Sequence, residues 1–150
     1  MAKSFSASVG QWASQSEARV QAVYRRSVEL LSEEMTRTRG NGGRMPYLTG
    51  NLARSLLAST ESMPKTSEVL SAGSNVGAVT ATLRLDQVIF LGFQAVYARR
   101  TNNGFVGADS LGRVYNQAGA YFIEGAISEW PAIVAKAASE LQSSVESRNA

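Results

Sequence analysis

The chain has no cysteine and no histidine. Without cysteine there are no disulfides and no thiolate zinc sites, which fits folding in a reducing cytoplasm. Without histidine the usual general base near neutral pH and the commonest metal ligand are both missing. No Ser-His-Asp or Cys-His arrangement can be built. Aspartate is scarce as well: Asp86 and Asp109 are the only two. Both lie in stretches that read as turns, where aspartate commonly bonds backbone. Glu33 and Glu34 are adjacent on a helical stretch and point about 100° apart; Glu124 and Glu129 diverge too. No enzyme activity, cofactor or metal is expected. A small enzyme would need Asp86, Asp109 and a glutamate to converge on one ion. There is no run of about 18 apolar residues to span a membrane. The stretch "MAKSFSASVGQW" has no apolar core of the signal-peptide kind, so a protein that is cytosolic when made is expected.

What remains is an ordinary globular composition. The 150 residues are 44% hydrophobic and 18% charged, enough for one domain that needs no metal or disulfide staple. Twelve of the 15 basic residues are arginine, yet the net charge is only +3. Arginine suits planar contacts with carboxylates and phosphates and stacks on aromatics. That bias points to interfaces, while +3 is far short of a dedicated DNA binder.

Periodicity lays out the chain. Over 8–36, Trp12, Val20, Val23, Ser27, Leu30, Leu31 and Met35 recur at helical spacing, with Ser8 placed to cap the start. "TRTRGNGGRMPYLTGNL" (36–52) is glycine-rich and carries Arg37, Arg39 and Arg44, so 37–48 reads as a flexible basic loop. It lacks the Gly-Lys-Ser/Thr ending of a phosphate loop. Over 49–94 a turn or short helix capped by Thr49 leads into a β-rich part, and "LLASTES" reads equally well as a strand. Residues 79–93 read as a hairpin turning at Asp86-Gln87. A helix over 75–85 competes, because Val76, Val79 and Leu83 also fit helical spacing. Residues 117–147 form a second long helix with Phe122, Ala126, Ile127, Trp130, Ile133, Val134, Ala137, Leu141 and Val145 on one stripe. Pro131 should kink or break it near 128–130, and the tail "ESRNA" should fray. The expected fold is α+β: two long helices on a small antiparallel sheet, with two long loops.

Residues 95–116 are expected to be a docking loop. Tyr97, Arg99, Arg100, Asn102, Asn103, Phe105, Arg113 and Tyr115 interleave aromatics, arginines and amides. Together with Arg37, Arg39 and Arg44 they are the candidate interface. Tyr, Trp and Arg are enriched where proteins meet. A single-strand nucleic-acid module, using the same arginine–aromatic composition, is the alternative.

Three stretches occur in order: "YLTGNLARSL", "VIFLGFQAVYARRTNNGF" and "GRVYNQAGAYFIEGAISEWPAIVAKAASEL". The set, spanning 45–141, resembles the tail-completion, or head–tail joining, family of long-tailed bacteriophages. Its marks here are Thr49, Gly50, Leu52 and Ser55; Gly92, Tyr97 and Ala98; Asn102 or Asn103 with Gly104; and Trp130. Many members carry Glu where this chain has Asn before the glycine. The resemblance implies a non-enzymatic ring in the neck of the virion, usually of six subunits. Such a ring bridges the tail terminator and the head–tail connector, and genome DNA passes through its lumen.

Overall fold

The computed structural model describes residues 4–70 and 72–150. Its class is α+β. Helix α1 (Phe5–Thr36) runs 32 residues, roughly 48 Å at the α-helical rise. It begins three residues earlier than the periodicity implies: Ser4, not Ser8, is the N-cap, and its Oγ accepts from the Ala7 N–H at 3.2 Å.

The basic loop that follows carries contacts of its own. Thr38 bridges to Met45, the Arg39 guanidinium donates to the Arg44 carbonyl at 3.2 Å, and Met45 is fully buried. A short helix α2 (Asn51–Arg54) then gives way to strand β1 (Leu56–Ser59). The Thr49 hydroxyl accepts from the Asn51 N–H at 3.4 Å. Leu56 and Ala58 point into the core from alternate positions of β1.

The hairpin expected over 79–93 does not form. Val76–Thr80 is a short helix, α3, the competing reading in a shorter form. Strand β2 (Phe90–Phe93) pairs antiparallel with β1, Leu56 opposite Phe93 and Ser59 opposite Phe90. Leu83 is fully buried, and the 81–87 stretch is held to α1 by hydrogen bonds rather than paired to a neighbouring strand. There the Arg25 side chain donates to the Leu83 carbonyl at 2.8 Å and the Tyr24 hydroxyl to the Gln87 carbonyl at 3.0 Å. Asn75 closes the outer edge of β1. Its amide oxygen accepts from the Ala58 N–H at 2.7 Å and its amide nitrogen donates to the Ala58 carbonyl at 3.0 Å. One side chain thus satisfies both backbone groups that a further strand would use.

Residues 95–116 are not a loop either. They form helix α4 (Ala98–Asn103) and strand β3 (Gly104–Ala108), which pairs with strand β4 (Val114–Ala118). The single sheet expected is therefore two separate two-stranded sheets.

The C-terminal helical region begins at Phe122, not 117, and is broken where proline implied. Helix α5 (Phe122–Ser128) ends one residue before α6 (Trp130–Asn149), and Pro131 sits in the first turn of α6. A missing N–H costs nothing there, since first-turn donors have no intrahelical partner. The break splits the apolar stripe. Phe122 and Ala126 enter the main core, with the Phe93 and Phe122 rings edge to face at 5.2 Å. Ile133 and Ala137 pack instead on Leu30 of α1 in a second cluster. Ile127, Trp130 and Val145 of the expected stripe are exposed, as are Trp12 and Val20 of α1. Helix α6 stays helical through the tail to Asn149. Arg26 links α1 and α6: its guanidinium meets Glu140 at 2.7 Å, Glu29 at 3.2 Å and Glu33 at 3.4 Å.

Candidate functional site

The hairpin β3–β4 has strands of five residues and a turn between them. Asp109 and Gly112 close the turn: the Gly112 N–H donates to the Asp109 carbonyl, and Gly112 takes φ +76°. Left-handed backbone of this kind favours glycine. The Asp109 carboxylate organises what surrounds it. One oxygen accepts from the backbone N–H groups of Leu111 and Arg113, both at 2.9 Å. The other takes the Arg113 guanidinium at 2.6 Å and the Tyr115 hydroxyl at 3.2 Å. Partial desolvation acts to raise its pKa, but the Arg113 and Leu111 N–H groups, the guanidinium and the hydroxyl outweigh it. The carboxyl is held below the ordinary aspartate range.

Register puts Phe105 opposite Gln117 and Gly107 opposite Tyr115. Phe105 and Tyr115 are therefore diagonal neighbours on one face, with ring centroids 6.2 Å apart. The Arg100 guanidinium lies 4.4 Å over the Phe105 ring, a cation–π contact. A chain of contacts runs from Arg100 through Phe105 and Tyr115 to Asp109 and Arg113. The opposite face of the hairpin offers Val106 and Val114, 77% and 82% exposed. Every residue of β4 is exposed, and among the described residues β3 is its only strand neighbour.

The hairpin is joined to the body at its open end. Gly104 and Gly119 bring two backbones together: a β-carbon on either would lie 2.5–2.7 Å from backbone atoms of the other segment. Asn102 completes the joint, and this corrects its place among the interface residues. It is 2% exposed. Its amide oxygen accepts from the Ile123 N–H at 3.0 Å, and its amide nitrogen donates to Glu124 at 2.8 Å and to Asn103 at 2.8 Å. Helix α5 has no side-chain cap at Tyr121, whose backbone is left-handed at φ +49°. Asn102 supplies the capping acceptor from a distant part of the chain. Asn103 beside it is exposed.

The interface residues divide into two groups. Tyr97, Arg99, Arg100, Asn103, Phe105, Arg113 and Tyr115 are gathered on α4 and the hairpin. The arginines of 37–48 turn elsewhere: Arg37 pairs with Glu34, and the Arg44 side chain lies over Gly125 of α5. A cleft of about 270 Å³ separates that loop from the hairpin base. Tyr47, Thr49 and Gly50 line one wall and Tyr97, Thr101 and Gln117 the other. Asp109 bonds backbone in a turn as the sequence implies; what the sequence did not indicate is its grip on Arg113 and Tyr115, or the exposed Leu48 beside the cleft. Asp109 with Gly112 three residues on is the turn pair behind that reading.

Among the described residues no group of three or more carboxylates could hold a metal, and no helix is long and apolar enough to cross a membrane. Comparison of the chain with protein-family models, curated proteins and solved structures finds no match.

Proposed function

We propose that this chain is a structural joining protein of a long-tailed phage: a neck, or tail-completion, subunit that forms a homo-oligomeric ring between tail and head connector. A hexamer is the expected number. The tail terminator or tail tube and the head–tail connector are its expected neighbours, and genome DNA crosses the lumen. The observation that carries the reading is a small body bearing two unlike extensions. One is the first part of α1, where Phe5, Val9 and Trp12 are exposed; the other is the β3–β4 hairpin, exposed along all of β4. A ring closes through heterologous contacts, in which two different surfaces of each subunit meet. The residues on which the phage resemblance rests add support, since Thr49 and Gly50 face Tyr97 across one cleft.

The nucleic-acid alternative is less favoured by the charge arrangement. Arg113 and Arg37 are each paired with an acid of this chain. A DNA titration decides against it if log K is flat in log salt, because neutralised phosphates must release counterions.

The test of the joining role is electron microscopy of lysates from a phage with a stop codon in this gene. DNA-filled heads and finished tails should accumulate apart, and added wild-type protein should join them. The double variant Arg99→Ala/Arg100→Ala should fold normally and fail to restore joining. Joined virions without the protein would refute the role.

A further inference from the structure

Residues 4–16, "SFSASVGQWASQS", contain no charged side chain, yet they are helical from Phe5 and exposed throughout Phe5–Gln15. A helix that ends in water normally carries charge on its solvated faces. Here the large residues are Phe5, Val9 and Trp12, with Phe5 86% and Trp12 69% exposed. Most of the others are serine, alanine or glycine, which let another backbone approach closely.

The three large residues are in phase with the seam that α6 already covers. Val9 lies two heptads before Val23 and three before Leu30, and both of these pack in the α1–α6 cluster. Phe5 and Trp12 lie three and two heptads before Arg26, which pairs with Glu140 of α6. The seven-residue period is that of packed helices. Val145 and Arg148 of α6 stand beside Ala18 and Arg19, so the segment before them projects past the described part of α6.

The same helix pair carries an empty complement. A groove of about 670 Å³ runs between α1 and α6, lined mainly by small and apolar residues such as Ala22, Val23, Ala138, Leu141 and Val145, with Arg19, Glu146 and Arg148 also in its lining. The chain's own segment cannot reach it: Phe5 lies 13 positions before Ala18 in one continuous helix, roughly 20 Å away along the axis.

We infer that the groove receives the Phe5–Val9–Trp12 segment of a second copy of this chain, giving a head-to-tail contact. The uncharged, apolar segment matches a lining that is mostly apolar and in which two arginines are offset by Glu146, which favours it over a nucleic acid. The contact continues an existing helix seam with a third helix. Two aromatic side chains of roughly 150–250 Å² each go from exposed to covered at every contact, a substantial share of the roughly 800 Å² per partner of a stable interface. The inference does not depend on the phage reading, because it concerns the purified chain alone.

Sedimentation equilibrium over a concentration series tests it. The wild type should self-associate, and Trp12→Glu and Ala138→Arg should each weaken association at least tenfold, with unchanged circular dichroism. Mixing these two variants should restore a contact between the intact segment of one and the intact groove of the other, giving dimers and nothing larger. The chain has no native cysteine, so a second measurement is clean: Ala13→Cys and Ala138→Cys proteins, mixed under a bis-maleimide, should cross-link to each other in preference to themselves. A wild type monomeric up to about 1 mM, the level at which contacts of only about 4 kcal/mol are populated, overturns the inference. So does a Trp12→Glu variant that associates like the wild type. Preferential Ala13→Cys homodimers would show stripe against stripe and would also overturn it. Failure of the phage complementation assay with self-association intact would count against the joining role alone.

Discussion

The side-chain amide of Asn102 donates to both carboxylate oxygens of Glu124, at 3.0 and 2.8 Å, while its oxygen caps the N–H of Ile123. One buried side chain therefore fastens α4 and the hairpin root to the start of α5. Asn102→Ala should cost about 1–3 kcal/mol, since it leaves the Ile123 N–H without its acceptor and Glu124 without its donor. Thermal denaturation checks the size. Asn102→Asp should be worse at neutral pH, because it sets a second carboxylate against Glu124, and should recover partly on mild acidification.

Acid should loosen the hairpin turn before the core. The Asp109 carboxyl is held below its ordinary value of 3.8 in the folded chain. A depressed carboxyl contributes stability in full above its unfolded value, and that contribution is lost as pH falls through the folded one. Amide exchange at Leu111 and Arg113 should therefore be unchanged above about pH 5 and accelerate below the aspartate range, after correction for intrinsic rates. Asp109→Asn should remove most of that pH dependence.

Arg26 is the charged link between α1 and α6. Glu140 holds its guanidinium above the ordinary arginine range through a hydrogen bond, with Glu29 and Glu33 adding to the effect against desolvation. The same contact lowers Glu140, so acid removes its share of stability as Glu140 protonates. The cluster is partly solvated, and its net worth is that of a surface network. Arg26→Ala should cost about 1 kcal/mol and lower Tm by roughly 2–4 °C. The difference should shrink in high salt.

Asn75 guards an edge. Asn75→Ala leaves the N–H and carbonyl of Ala58 without their partner, and Ala58 is buried. The expected loss is about 1–3 kcal/mol. Because the freed groups form a strand edge, light scattering on heating should also rise earlier than the stability loss alone explains.

Helices were legible in this sequence where period and punctuation agreed. α1 showed its face over several turns, and Pro131 marked the α5–α6 boundary. The β content was harder. Val76, Val79 and Leu83 satisfy both periods, and the partner of Phe90–Phe93 is not the adjacent stretch but Leu56–Ser59. Local pattern says nothing about so distant a pairing. The hairpin read as a loop because Gly104, Gly107 and Gly112 dilute its alternation. The aromatic and arginine residues of the interface were legible by type. Asn102 was not, because an amide in polar company looks the same whether it faces solvent or caps a helix that begins twenty residues later.

The two apolar clusters give the molecule a division of labour. Met35, Met45, Leu56, Phe93 and Phe122 hold the body together, while Leu30, Ile133 and Ala137 hold only α1 to α6. Met35 and the Tyr24 and Arg25 contacts root α1 in the body, so only its part before Tyr24 extends as an arm. One extra heptad in α1 before Tyr24 would lengthen that arm by roughly 10 Å and leave the contacts of Tyr24, Arg25 and Met35 in place. The reach of the arm is thus set in steps of seven residues, independently of the fold of the body.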